Sequence, residues 1–154
     1  MNTAAPSLTK VGMERQLHGY FAACNSADAD RIATFFVPDA VHYFPGELYG
    51  GPCRGGVQIG RQCSEMVRQF GSFWTIDQLV CDPDTGKAAT EWTLENRKIG
   101  VLIRGAEWYQ LNQDCLLAKV RAFVAMAPDR GRTRLELGGF DYAGRGYPAA
   151  AGSG

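Results

Sequence analysis

Gly100-Val101-Leu102-Ile103-Arg104-Gly105-Ala106-Glu107-Trp108-Tyr109-Gln110-Leu111 is the stretch on which the fold turns. It is rich in β-branched and aromatic residues, which suit a pleated, half-buried surface, and so reads as a strand. Asn112-Gln113-Asp114 supplies turn chemistry directly after it, and a second run of the same character occupies 115–126. Working upstream, runs at 73–82 and 88–98 are joined by Asp82-Pro83-Asp84-Thr85-Gly86, another hairpin turn, and a further strand is possible at 132–142. The second half of the chain is therefore consecutive antiparallel strands.

The first half follows a different period. Met13, Leu17, Tyr20, Phe21 and Cys24 recur at the spacing of an amphipathic helix. Asn25, Ser26 and Asp28 then offer turn and N-cap groups for a short second helix, with Ile32, Phe35 and Phe36 on its buried side and Pro38 at its end. Residues 40–45 read as a strand, and the glycine-crowded run Gly46–Gly56 as a loop over a cavity mouth. Ile59, Cys63, Met66, Val67 and Phe70 mark a third helix. Helices first and antiparallel strands after give the α+β class. A strongly curved sheet around three helices encloses a conical apolar pocket, with the first helix as its floor and strand residues of one parity as its walls.

The 154 residues suit one domain, taken as 10–143 with flexible ends at 1–9 and 144–154. Sixteen basic residues balance sixteen acidic ones without a basic stripe, which points away from nucleic acid and anionic membranes. The expected partner is a small hydrophobic molecule. Five scattered cysteines without C-x-x-C or Cys/His ligand spacing read as reduced thiols and favour neither a disulfide framework nor zinc. No apolar leader or stretch of about 18 apolar residues occurs, so the expected location is the cytoplasm. Apolar residues on the outward parity of 100–126 favour a homodimer. The glycine pairs at 50–51 and 55–56 do not lead from a strand into a phosphate-binding helix, so no nucleotide fingerprint is present and no cofactor is expected.

The segment Tyr20-Phe-Ala-Ala-Cys-Asn-Ser-Ala-Asp-Ala-Asp-Arg-Ile-Ala-Thr-Phe-Phe-Val-Pro-Asp-Ala-Val resembles the opening of the NTF2-like superfamily. That superfamily includes ketosteroid isomerases, SnoaL-like polyketide cyclases, scytalone dehydratase and limonene epoxide hydrolase, besides noncatalytic proteins, and the likeness runs over roughly residues 12 to 126 as a pattern of elements. The resemblance implies an oxyanion-hole role for Tyr20 and puts Glu107 where the isomerases carry an acid kept protonated by its apolar surroundings. The isomerase base does not carry over, because its position falls at Phe44. His42 lies two residues earlier on the same strand face, can titrate near neutrality and is the substitute base. The epoxide hydrolase pattern needs Arg and Asp two apart, whereas Arg104 and Glu107 are three apart and on opposite faces unless a bulge intervenes.

From the residues themselves, Tyr20 on the buried helical stripe and Glu107 in an apolar strand point into one core, where two donors can hold an oxyanion. A buried Glu107 would have its pKa raised and act as a neutral acid. Trp92, Leu94 and Asn96 alternate on one strand face as pocket walls, while Tyr43, Glu91 and Arg104 have parity against them. Phe21, Phe36, Phe44, Trp92 and Phe123 line the expected cavity, and Arg121, in the Arg-x-Phe closing strand the resemblance implies, either steers an anionic group or covers a sheet surface. His18 points away from the stripe. The expected activity is proton transfer on a hydrophobic, oxygenated ring: an isomerase, dehydratase or aldolase-like lyase. The alternatives are an epoxide hydrolase-like hydrolase or a noncatalytic binder.

Overall fold

The computed structural model describes residues 8–45, 51–125 and Gly144. In chain order these form α1 (Lys10–Asn25), α2 (Ala29–Ala33), β1 (Phe36–Tyr43), β2 (Cys53–Arg54), α3 (Gly56–Phe70), β3 (Ser72–Asp82), β4 (Lys87–Asn96), β5 (Val101–Leu111) and β6 (Leu117–Ala125). The strands make one curved, unclosed sheet in the order β2-β1-β6-β5-β4-β3. Every neighbouring pair is antiparallel except β1 with β6, which is parallel. The α+β expectation holds. The strand proposed at 132–142, the Gly46–Gly50 part of the loop and most of both terminal segments lie outside the described residues. Among the described residues no helix is long and apolar enough to cross a membrane.

α1 starts where the Thr9 hydroxyl accepts from Gly12 N–H at 3.0 Å, satisfying one of the free donors of the first turn. Its buried stripe is Met13, Leu17, Tyr20, Phe21 and Cys24, each at most 6% exposed. Burial of each large side chain among these contributes about 1.5–3 kcal/mol, which outweighs the modest intrinsic helix propensity of the segment. Asp28 caps α2 by accepting from Arg31 N–H at 3.0 Å. α3 ends at Gly71, whose φ of +66° only glycine adopts without strain, and the chain turns there straight into β3.

Two elements differ from their sequence readings. The run read as a loop at Gly46–Gly56 contains the short strand β2, whose Cys53 and Arg54 pair with His42 and Val41 of β1. The periodicity of Ile32, Phe35 and Phe36 suggests that α2 runs on to Pro38, yet the helix stops at Ala33 and Phe36 opens β1. Leu117 N–H bonds to Phe35 C=O at 2.9 Å, and Phe36 pairs with Leu117, so the parallel ladder with β6 takes these residues out of the helix. Pro38 sits where the β1–β6 register breaks between Phe36 and Val41, a place where a missing N–H breaks no ladder bond.

The Asn25 side chain ties the edge strand β3 to the helical layer. Asn25, the last residue of α1, donates from Nδ2 to Trp74 C=O at 2.9 Å and accepts Trp74 N–H on Oδ1 at 2.8 Å. An amide thus takes the place of the missing neighbour strand and anchors the wall that Trp74 forms.

Candidate functional site

The helices and the concave sheet face enclose a cavity of about 510 Å³, a size that suits a small organic ligand. α1 supplies Tyr20, Phe21 and Cys24, and α3 supplies Cys63, Met66 and Phe70. His42 comes from β1, with Phe44 and Pro45 just after it, and Trp74 from β3. Trp92, Leu94 and Asn96 come from β4, Ile103 and Glu107 from β5, and Ala122 and Val124 from β6, with Ile99 in the β4–β5 turn. Among these lining residues Glu107 is the single carboxyl, and no lysine, arginine or aspartate joins it. Among the described residues no cluster of three or more His, Cys, Asp or Glu is placed to hold a metal ion.

Strand parity accounts for most of the walls. β4 and β5 pair without a break from Lys87↔Gln110 to Asn96↔Val101, so alternate residues face the cavity along both strands. Trp92 lies opposite Gly105, and a Cβ at 105 would run into the indole and the Phe123 carbonyl oxygen. Glycine at 105 is therefore what leaves room for the Trp92 ring against β5. The same unbroken register settles the Arg104–Glu107 question: no bulge separates them, and Arg104 pairs with Glu91 on the opposite face. The arrangement that the epoxide hydrolase resemblance calls for does not form.

Tyr20, His42 and Glu107 all line this one cavity. Tyr20 is held by edge-on contacts with Phe21 and Phe36, at ring-centroid distances of 5.8 and 5.3 Å. Its hydroxyl neighbours the Cys24 thiol, which in turn neighbours Cys63. His42 is 1% exposed and stacked on Phe44 at 3.8 Å between ring centroids. Its Nε2 stands 3.8 Å from Glu107 Oε1, and its Nδ1 is buried without a hydrogen-bond partner. On the other side, Tyr109 donates its hydroxyl to Glu107 Oε2, and Thr90 Oγ1 lies 2.9 Å from the Tyr109 oxygen.

Burial separates the protonation behaviour of these groups. Removal from water pushes the Glu107 carboxyl from its ordinary 4.5 up to about 7, against the smaller opposing effect of the Tyr109 hydrogen bond. The same desolvation pulls His42 from 6.5 down to about 3, so the imidazole is neutral throughout the physiological range. The Tyr20 and Tyr109 hydroxyls are held well above 10, burial being the largest cause for both. The group that titrates near neutrality in this cavity is thus the carboxyl, and the sequence expectation that His42 does so is corrected. With the imidazole neutral, the 3.8 Å approach is a polar contact and not an ion pair.

Phe21, Phe44, Trp92 and Asn96 take the wall positions read from the sequence. Three others do not. Phe36 is buried but lies behind Tyr20, packing against its ring. Phe123 is 55% exposed and Arg121 is also exposed, both on the outer face, because Glu107 pairs with Ala122 and the even-numbered residues of β6 turn inward. Arg121 instead borders a shallow outer recess with Lys87, Trp108 and Lys119. Cys24, Cys63, Met66 and Phe70 were visible in the sequence only as helical stripe residues. Tyr109, two residues after Glu107 and so of equal parity, carried a signal that parity alone could have exposed.

A family model described as the SnoaL-like domain matches residues 17–120. Among solved structures, a protein of unknown function with a cystatin-like fold from Methylobium petroleophilum PM1 is 44% identical, with 95% of this chain and 97% of that one covered at a TM-score of 0.75. A candidate ketosteroid isomerase from Kribbella flavida is 19% identical, with 83% and 90% covered at a TM-score of 0.63. The epoxide hydrolase/cyclase-like enzyme SalBIII, which acts in pyran ring formation in the polyether salinomycin, is 17% identical, with 74% and 91% covered at a TM-score of 0.61. The last two likenesses are likenesses of fold. No curated protein matches the chain.

Proposed function

Because the chain belongs to the SnoaL-like domain family within the NTF2-like fold, we propose that it is a small-molecule enzyme that moves protons on a hydrophobic, oxygenated ring or aromatic substrate through an enolate- or phenolate-like intermediate. The reaction is an isomerisation, dehydration or aldolase-like cleavage that needs no cofactor. The observation that carries the reading is a carboxyl pushed to about 7 in an apolar cavity it shares with a tyrosine hydroxyl and a neutral imidazole. A group poised near the working pH is best matched for taking a proton and returning it.

In this reading Glu107 takes the proton from carbon or oxygen of the substrate and gives it back at the second position. Tyr20, protonated far above neutrality, donates its hydroxyl hydrogen to the substrate oxygen as negative charge develops there. His42, neutral, offers a polar atom beside Glu107 Oε1 without competing for the proton. Phe21, Phe44 and Trp92 supply flat apolar surface for the ring, and Asn96 a polar contact farther along β4. The proposal includes a homodimer, supported by Tyr43, Trp108 and Phe123 exposed at 38%, 49% and 55% on the outer sheet face. It also includes a reducing, cytoplasmic setting, supported by five free thiols.

The test is a turnover screen of ring ketones, epoxides and phenolic diols, followed by variants on any substrate found. Glu107→Gln is expected to lower kcat by about 10²-fold or more, as loss of general acid–base catalysis does. Tyr20→Phe is expected to lower it by a comparable factor through loss of an oxyanion donor. Tight ligand binding without turnover, or full activity in Glu107→Gln, would replace this reading with that of a binding protein or of a different base.

A further inference from the structure

Glu107 meets different chemistry on each side. Its element-by-element surroundings are Tyr20 and Cys24 from α1, Cys63 from α3, His42 from β1, Thr90 directly opposite on β4, Tyr109 on its own strand, and Ala122 on β6. Among the described residues the hydrogen bond from Tyr109 is the one bond this carboxyl makes, and it ends on Oε2. A phenol has one hydrogen to give. Since Tyr109 gives its hydrogen to Oε2, the 2.9 Å contact with Thr90 must be a bond in which the threonine hydroxyl donates to the phenol oxygen. The donors therefore run in one direction, from Thr90 to Tyr109 to Oε2. A proton on Oε2 would have to face the phenol hydrogen already pointing at that atom. Oε1 has no such constraint: His42 Nε2, at 3.8 Å, is beyond hydrogen-bond length.

We propose that Thr90 and Tyr109 are positioning residues that hold Glu107 Oε2 as a pure acceptor, so that Oε1, facing His42 and the cavity, is the oxygen that carries and exchanges the proton. Neither residue is needed to touch the substrate. Tyr109 is 3% exposed and Thr90 2% exposed, and neither lines the cavity. Their arrangement fixes the carboxyl plane and aims one lone pair at the site, and buried chains of this kind strengthen as each bond polarises the next. Tyr109 stays protonated over the whole working range, so the chain keeps its direction at any pH at which the protein functions. The inference deepens the acid–base reading of the same site, and its first readout does not depend on turnover.

The experiment is a pH titration of the free protein, labelled with ¹³C at glutamate carboxyls, with the Glu107 resonance assigned by its loss in Glu107→Gln. Tyr109→Phe keeps the ring and removes a hydrogen bond that favours the carboxylate, so the Glu107 midpoint should rise by about 1 to 2 in pH. Thr90→Val should raise it less and should add nothing in the Tyr109→Phe background, because Thr90 acts through the phenol. Thr90→Ser, which restores the hydroxyl, should return the midpoint to that of the wild type, and this valine–serine pair decides the matter if Tyr109→Phe fails to fold. An unmoved midpoint in Tyr109→Phe, or a Thr90→Val shift of equal size with and without Tyr109, overturns the proposal. Once a substrate is known, Tyr109→Phe should lower kcat with KM unchanged; if the chain binds ligands without turnover, the titration still decides.

Discussion

Replacing Glu107 by glutamine changes the pH dependence of stability in a way the cavity geometry predicts. In the unfolded chain the carboxyl titrates at its ordinary 4.5, and in the fold at about 7. Between those values the native state holds a proton that the unfolded state has lost, so native stability falls as pH rises through the window. At 1.36 kcal/mol for each pH step, a separation of about 2.5 amounts to about 3 kcal/mol, fully present below 4.5 and gone above about 7. The wild-type profile alone would hide this. His42, pulled from 6.5 to about 3, works in the opposite sense, because the unfolded state binds its proton while the native state does not, and stability rises with pH across that interval. Over 4.5 to 6.5 the two slopes nearly cancel. Glutamine has no titration, keeps an acceptor for the Tyr109 hydroxyl, and leaves His42 in place, so the difference between variant and wild type isolates the carboxyl. Urea unfolding followed by tryptophan fluorescence at pH 4 through 8 should show Glu107→Gln gaining about 3 kcal/mol relative to wild type, most of it between 5 and 7. A difference that is flat across this range, or that moves the other way, would refute the claim that Glu107 is desolvated in the cavity.

Two structural substitutions test the walls. Gly105→Ala places a methyl group against the Trp92 ring and the Phe123 carbonyl, so it should cost about 1–3 kcal/mol in urea unfolding and shift the Trp92 environment in near-ultraviolet circular dichroism; an unchanged unfolding free energy would mean that the indole does not pack against β5. Asn25→Ala removes both bonds to the Trp74 backbone and should cost about 1–2 kcal/mol, with faster amide exchange at Trp74 localising the loss to the edge strand. The kinetic effects of Glu107→Gln and Tyr20→Phe, and the carboxyl titrations of the Tyr109 and Thr90 variants, complete the set.

Several parts of this molecule can be read from local pattern, because they are dictated by period. The α1 stripe of Met13, Leu17, Tyr20, Phe21 and Cys24 is buried as its spacing requires, since a helix has only one face to offer a core. The alternation of Trp92, Leu94 and Asn96 likewise faces one side, and the odd-numbered parity of β5 carries Glu107 inward with Ile103. The α+β class follows from the order of those periods along the chain.

Other choices needed the tertiary structure. Along β6, Lys119 and Arg121 share their parity with Phe123, and that alternation of charged with small apolar residues is a local sign that this face turns outward; the pairing of Glu107 with Ala122 fixes it, placing Ala122 and Val124 on the cavity and Phe123 outside. Phe36 has helical spacing from Ile32 yet joins a strand, because β6, some eighty residues later in the chain, offers its backbone a ladder partner. The protonation of the site is the clearest case. An isolated histidine titrates near neutrality and an isolated glutamate well below it, but enclosure of both in one dry cavity reverses their order, with His42 at about 3 and Glu107 at about 7. Residue type sets the chemistry available at each position. Which group holds the proton depends on how much water the surrounding chain removes, and desolvation belongs to the assembled fold, not to any segment of it.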